Sequence, residues 1–397
     1  MKITQIFKIY WPDNGGGIAK VMESIADALP ECEHQMLVCQ SSRHKKSAND
    51  TYKGIAVRRS RQMFEFASTP VSFQFLRDVR EKTEDADFVI CHFPYPMADL
   101  AVLLGLCGGR LVVWWHCGFE KYAGLAPFYG LLARHTLKKA KLILVSSKGN
   151  LKSSGLLWQY RKKCRVIPFC VSDAYVQRGR AFAAACRQGK EICGNGQGGR
   201  QCRSSPDSAA GMVCILFIGR LVWYKGCDVL LRSFAKMKQK NCRLVLVGSG
   251  PLEKELKCLA ASLKLKRVVF KGILSEEEKI RQIEACDFLV LPSISKAEAF
   301  AIVQLEAMAF GKPVINTALQ SGVPYVSIHK QTGITVKPGS VRELAKAMDE
   351  LAANEALRFA YGENALQRVQ KYFTRQAMAK KYRRIFSQQN TVEKEKK

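Results

Sequence analysis

The chain has 397 residues, of which 47% are hydrophobic, and 63 Lys+Arg against 34 Asp+Glu give it a formal net charge of +29 at pH 7. That length exceeds one ordinary core and fits two α/β domains, while the cation excess draws the protein to polyanions such as nucleotide phosphates, anionic lipid or nucleic acid. The longest apolar stretch, Leu100–Cys107, is too short to span a bilayer, which leaves a soluble or peripheral protein, expected on the cytoplasmic side.

Strand-then-helix alternation begins at once. Ile3–Ile9 reads as a strand, with charges where a signal peptide would be apolar. The glycine loop Asp13-Asn-Gly-Gly-Gly17 follows, then a helix over Ile18–Leu29 with apolar residues at Val21, Ile25, Ala28 and Leu29. Apolar runs at Gln35–Cys39, Phe88–His92, Leu111–His116, Leu142–Ser146 and Arg165–Pro168 predict further buried strands, each followed by a polar or glycine turn. Residues 174–211 have linker composition, rich in glycine, serine and arginine; only Ala181–Cys186 suggests a short helix. A second series of strands runs through Val213–Ile218, Arg243–Val247, Val268–Phe270, Phe288–Leu291, Pro313–Asn316 and Ile334–Val336. The tail predicts a basic amphipathic helix over Arg375–Gln388 and a disordered charged end at 391–397. The domains are therefore placed at 1–173, joined by a C-terminal helix over 372–390, and at 212–371.

The chemistry concentrates in Ser293-Ile-Ser-Lys-Ala-Glu-Ala-Phe-Ala-Ile-Val-Gln-Leu-Glu306. Glu298 lies in a turn closing a strand, and Glu306 falls about two turns into the following helix. In an open parallel sheet ligands collect at the carboxyl ends of strands, where helix N-termini present unpaired N–H groups. Carboxylates at such a place suit a ligand with hydroxyls to hold and a phosphate to anchor, as in a nucleotide sugar. Arg220 and Lys225, in Phe217-Ile-Gly-Arg-Leu-Val-Trp-Tyr-Lys-Gly226, project from another strand end where a diphosphate would lie; a solvated basic loop is the plain alternative. Leu244-Val-Leu-Val-Gly-Ser-Gly-Pro-Leu-Glu253 has the strand–glycine–helix shape of a dinucleotide fingerprint but carries Glu253 in place of the third glycine, so Gly248 marks a tight turn near a nucleotide and no NAD site. Gly15–Gly17 permit close backbone approach to an anion without the Gly-Lys-Ser/Thr of an NTPase loop. His116 ends a strand and is expected to be polar and functional, where a lone histidine is more often a core residue.

Other clusters carry less. Asp85-Ala-Asp87 resembles a metal clamp but precedes its strand, on the wrong side of the sheet for ligands. The 15 cysteines form no Cys-x-x-Cys and are expected to be reduced thiols, with no zinc site. Basic runs at Arg58–Arg61, Lys138–Lys141 and Arg161–Arg165 favour an anionic membrane surface over DNA or RNA, since no nucleic-acid module accompanies them.

With these pieces in place the chain resembles the retaining GT-B glycosyltransferases of family 4. Gly-Gly-Gly-Ile-Ala-Lys20, Gly-Arg-Leu-Val-Trp-Tyr-Lys-Gly226, Val-Gly-Ser-Gly-Pro-Leu252, Glu298-x7-Glu306 and Gly311-Lys-Pro-Val-Ile-Asn316 carry the resemblance. It implies an α/β fold of two Rossmann-like domains facing across a cleft, with a C-terminal crossover helix. It also implies that Arg220 and Lys225 hold the donor diphosphate and that Glu306 bonds the ribose. Glu298 would contact the transferred sugar, stabilising the transition state, and His116 would line the sugar site. Backbone amides at Phe300, Ala301, Ile302 and Val303 would add phosphate contacts, and Gly16 and Gly17 would close over the diphosphate. No metal or other cofactor is expected, because cations and helix ends replace the metal. Relatives often carry glycine at the place of Ala301, so alanine there is strained if its φ is positive. The linker is longer than usual for the family, with no role assignable to Arg187–Ser208.

Gln320-Ser-Gly-Val-Pro-Tyr-Val-Ser327 looks like bacterial mannosyltransferases of O-antigen and capsule synthesis, implying GDP-mannose as donor and a lipid-linked saccharide as acceptor at the inner face of the membrane. A UDP-sugar-dependent transferase, a nucleotide-sugar epimerase on the same fold, and a non-catalytic basic membrane binder are the alternatives.

Overall fold

A computed structural model describes residues 1–13, 17–39, 46–66, 69–118, 126–188 and 212–394. The chain divides into two compact units, Met1–Phe169 with Met378–Lys397, and Cys170–Ala377.

The first unit contains β1 (Lys2–Ile6), α1 (Gly17–Ala28), β2 (Glu33–Cys39), β3 (Ala48–Tyr52), β4 (Ile55–Ser60), β5 (Phe64–Phe66), β6 (Thr69–Val71) and α2 (Phe73–Thr83). It continues with β7 (Phe88–Phe93), α3 (Pro96–Leu103), β8 (Arg110–Trp115), α4 (Ala126–Lys139), β9 (Leu142–Val145), α5 (Lys148–Ser153), α6 (Gly155–Gln159) and β10 (Cys164–Val166). Eight strands form one sheet in the order β10-β9-β8-β7-β1-β2-β4-β3, parallel except where β3 pairs antiparallel with β4. Strands β7 and β9 are buried along their whole length, as a sheet covered on both faces requires. The hairpin β3–β4 escaped the sequence reading because Ala48-Asn-Asp-Thr-Tyr52 is a polar edge strand; it turns through Lys53 and Gly54, both at positive φ.

The basic run Arg58–Arg61 is largely not a free surface. Arg59 is buried and pairs with Asp13 at 3.0 Å and Asp50 at 3.3 Å, and Arg58 meets Asp78 at 2.9 Å. These acidic partners come from elsewhere in the chain, so local charge counting missed them. Around the other two runs, Lys138, Lys139, Lys141, Arg161, Lys162 and Arg165 are exposed, whereas Lys163 donates to the last carbonyls of α4.

The second unit opens with α7 (Asp173–Arg187), which corrects the reading of a linker from residue 174. Packing stabilises this helix where composition does not. Arg178 bonds both Glu277 and Glu284, Tyr175 donates to Glu276 at 2.7 Å, and Phe182 meets Phe310 edge-on. Gly179 lies where a Cβ would sit 2.0 Å from the Ala309 carbonyl, so the helix crosses at backbone contact. The remainder of the supposed linker, 189–211, lies outside the described residues, as do Arg187's side chain and Gly16.

Then follow β11 (Val213–Ile218), α8 (Cys227–Lys236), β12 (Cys242–Val247), α9 (Glu253–Ser262), β13 (Val268–Gly272), α10 (Glu276–Ala285), β14 (Phe288–Val290) and α11 (Ile302–Met308). The series ends with β15 (Val314–Thr317), α12 (Val323–Val326), β16 (Gly333–Val336), α13 (Val341–Ala353) and α14 (Glu355–Tyr372). Six parallel strands run in the order β13-β12-β11-β14-β15-β16. Strand order therefore reverses between β11 and β14, the place where an open α/β sheet leaves a crevice at its carboxyl end. Both units are Rossmann-like.

A last helix, α15 (Arg375–Lys394), starts in the second unit, and its body belongs to the first. There Tyr382 accepts a hydrogen bond from the Trp114 indole at 2.7 Å and Phe386 lies against Phe88. The helix runs four residues into the end expected to be disordered from 391, because Glu and Lys sustain helix well. Residues 395–397 lie outside the described residues.

Cys39, Cys91, Cys164, Cys170, Cys214, Cys227, Cys242 and Cys286 are buried thiols outside any disulfide, small apolar residues as expected. Cys186 departs from that expectation and is disulfide-bonded.

Candidate active site

Strand β11 ends at Ile218, and the chain turns through Gly219 and Arg220 into a short 3-10 turn, Trp223–Lys225. Two glycines of the β12 turn make this path possible. A Cβ at Gly248 (φ 125°) would lie 2.0 Å from the Gly219 carbonyl, and one at Gly250 would lie 2.4 Å from that of Leu221. The two strand-end loops thus touch backbone to backbone, tied by Leu221 N–H to Ser249 O at 2.9 Å. Gly226, at φ 65°, starts α8 with its Cα against the Pro292 carbonyl and so brings the loop after β14 alongside.

These approaches deliver Lys225 to Glu298. Their charged atoms are 2.5 Å apart, with side chains only 12% and 9% exposed. Burial opposes the lysine's charge, but the Glu298 carboxylate outweighs it and holds the ammonium above the ordinary lysine value. Ser293 donates to the same oxygen, Oε2, at 3.0 Å; among the described residues no donor meets Oε1. The Lys225 ammonium also lies 3.5 Å from where a Gly219 Cβ would be, so it stands directly at the end of β11. The Arg220 side chain is exposed at the same strand end.

Glu306 occupies the buried face of α11 and pairs with Lys279 of α10 at 3.2 Å. Lys279 also meets Glu276 at 2.9 Å and lies over the Tyr175 ring at 5.2 Å. Burial pulls the pKa of Lys279 down, and the two carboxylates more than offset this. Glu298 and Glu306 therefore each have their own lysine. Ser293 and Lys279 are site residues the sequence reading missed; Lys279 sits in a run of glutamates that reads as an ordinary solvated helix face.

Between the two glutamates, Ala301 caps α11 with φ 60° and ψ 78°. The left-handed conformation that glycine would take freely is thus imposed on alanine. Buried amides hold it there. Gln304 donates to the Phe300 carbonyl at 3.2 Å, Asn316 donates to Gln304 at 3.0 Å, and Gly322 N–H reaches the Ala299 carbonyl at 2.7 Å. Phe300 is buried against Phe373, while Ile302 and Val303 form the first residues of the helix.

In the first unit, Gly17 begins α1, and nothing lies within 4 Å of where its Cβ would be. His116 follows β8 and is buried, its Nε2 2.8 Å from Nδ1 of His92. His92 Nε2 meets the Gln5 carbonyl oxygen at 3.0 Å. Burial lowers the pKa of His116 to about 3; burial and the facing His116 lower that of His92 well below its ordinary value. Asp85 and Asp87, the clamp-like pair, are bound by Lys2 through its side chain and its backbone amide. Among the described residues no group of three or more His, Cys, Asp or Glu could hold a metal ion.

A family model for glycosyl transferases group 1 matches residues 203–368, and one for glycosyltransferase family 4 matches residues 15–174. O-antigen chain mannosyltransferase C of Escherichia coli is 30% identical over 387 residues, covering 98% of this chain and 98% of its own. The chain is a family 4 glycosyltransferase. D-rhamnosyltransferase WbpZ of Pseudomonas aeruginosa is 28% identical over 94% of this chain and 92% of its own. Sucrose-phosphate synthase from Thermosynechococcus elongatus superimposes with a TM-score of 0.74 at 20% identity, over 98% of this chain and 99% of that one, which places this glycosyltransferase in the GT-B fold. No helix among its described residues is long and apolar enough to cross a membrane.

Proposed function

We propose that this glycosyltransferase moves a hexose, mannose from GDP-mannose, onto a lipid-linked saccharide with retention at the anomeric carbon, in O-antigen or related cell-surface polysaccharide synthesis. The sugar and the pathway are supported by the O-antigen chain mannosyltransferase to which the chain is similar along its length. The observation that carries the chemistry is the Lys225–Glu298 pair at the β11–β14 switch point, a cation and a hydroxyl-binding carboxylate presented together.

Lys225 and Arg220 take the charge that develops on the departing diphosphate, helped by the backbone amides of Phe300–Val303. Glu298 keeps Oε2 for Ser293 and Lys225 and offers Oε1 to a hydroxyl of the transferred sugar. Glu306, set by Lys279, accepts from the ribose, Gly248 holds the turn beside the nucleotide, and His116 contacts the sugar. The bond between the anomeric carbon and the phosphate oxygen breaks, the acceptor hydroxyl attacks from the same face, and its proton passes to the departing phosphate. No step requires a metal. The exposed lysines and arginines near 138–165 dock the enzyme on the anionic inner leaflet.

The test is product analysis with GDP-mannose, UDP-glucose and a lipid-linked acceptor, with and without EDTA. An α-linked mannosyl product formed at the same rate in EDTA is expected. Transfer only from a UDP-sugar, or nucleotide release that needs no acceptor, overturns the reading.

A further inference from the structure

We propose that a hydrogen-bonded chain through Gln5 and His92 fixes His116 as the Nε2–H tautomer, so that its Nδ1 is a bare acceptor for a sugar hydroxyl, with His92 and Gln5 as positioning residues. The inference deepens the reading of His116 as a sugar-contacting residue and rests on it.

The chain of donors can be followed from one end. Gln5 places its amide nitrogen 3.0 Å from the Met22 carbonyl, and a carbonyl only accepts, so that atom is the NH2 group. The Gln5 oxygen therefore faces His92 Nε2, which must donate to it. His92 is fully enclosed and neutral, so with its proton on Nε2 its Nδ1 carries only a lone pair. That lone pair faces His116 Nε2 at 2.8 Å, so His116 must donate there. His116 is buried among Trp114, Phe169 and His92, and no carboxylate partners it among the described residues. A neutral ring with its proton on Nε2 leaves Nδ1 unprotonated. The planes of His92 and His116 are 14° apart, and Trp114 lies 4.9 Å from His116 at 10°, so these neighbours hold the ring in its plane, and a half-turn within it would take Nε2 away from His92.

The consequence is selective. A bare ring nitrogen accepts from a hydroxyl and repels a carboxylate, so it suits a neutral sugar and disfavours a uronic acid. Gln5 and His92 touch no ligand in this scheme; they decide which proton His116 carries. Three elements contribute, since Gln5 lies on β1, His92 on β7 and His116 follows β8, and β1, β7 and β8 are adjacent in the sheet.

Nitrogen-15 NMR of the imidazole rings in the full chain tests this directly, since only six histidines are present. His116 is assigned by the signal lost in His116→Asn. At neutral pH His116 should show a protonated Nε2 and an unprotonated Nδ1. In His92→Leu that pattern should average or reverse, whereas in His92→Asn, whose side-chain oxygen stands in for Nδ1, it should persist. A parent protein whose His116 carries its proton on Nδ1, or on both nitrogens, overturns the proposal, as does an unchanged tautomer in His92→Leu. In transfer assays His92→Leu should lower kcat about tenfold or more with the Kd for GDP unchanged, and His92→Asn should restore it. Loss of GDP affinity in parallel would mean that His92 is only structural. If the parent transfers no mannose, the proposed function fails while the tautomer is still decided by NMR.

Discussion

Lys225 and Glu298 form a nearly dry ion pair, 73 positions apart in sequence and held by glycines that let three loops approach at backbone contact. Lys225→Met strands the carboxylate and should cost about 3 kcal/mol of stability, the low end for a broken buried pair because both groups retain some exposure. Adding Glu298→Gln should recover most of it. Urea unfolding of the four proteins of this double-mutant cycle measures the coupling; additive effects would show that the pair is not energetically joined. Both single variants should lose nucleotide-sugar transfer.

Ala301 holds a conformation that suits glycine. Ala301→Gly should therefore be stabilising or neutral, by up to about 1 kcal/mol, as relief of left-handed strain outweighs the extra chain entropy. Ala301→Val should be strongly destabilising. A clearly destabilised Ala301→Gly would mean the alanine methyl packs usefully.

The buried histidines make stability fall with acid. Both have folded pKa values below the unfolded value near 6.5, so in acid the unfolded chain binds more protons. Their contribution is complete above pH 6.5 and is lost as pH drops toward the folded values, about 3 for His116. Each group supplies a slope of roughly 1.4 kcal/mol per pH unit in that window. Urea midpoints of the parent and of His116→Phe from pH 7.5 to 4.5 should diverge, with the variant declining less; parallel curves would refute it.

Gly248→Ala drives a methyl into the Gly219 carbonyl, a backbone atom with nowhere to go. We expect loss of several kcal/mol or failure to fold. Gly17→Ala, where the space is open, should leave stability within about 0.5 kcal/mol. Thermal melts of the two variants separate a glycine demanded by packing from one that is not.

The strands of both sheets were legible wherever apolar residues ran together, as in Leu142–Val145 and Val213–Ile218, because parallel strands are covered on both faces. Polar edge strands such as Ala48–Tyr52 carry no such signal. Helix α7 looked like linker because its stability comes from Arg178 and Gly179 meeting residues a hundred or more positions away. The strand-end placement of Arg220, Lys225 and Glu298 followed from motif spacing, as did that of Glu306 in the next helix. Which charges pair did not, since Lys279 of α10 reaches Glu306 of α11 only through tertiary packing. Arg58 and Arg59 show the same limit in reverse, as distant aspartates cancel a cluster that sequence counts as surface charge.

Trp114 donates to a phenol 268 positions further along the chain, and Phe88 stacks on Phe386 of the same late helix. During synthesis the first unit must therefore emerge with a seam over two of its central aromatic rings and wait for the whole second unit to be translated before that seam is covered. A chain whose synthesis halts between residues 169 and 378 would present a first unit whose Trp114 indole and Phe88 ring still lack the partners that α15 supplies.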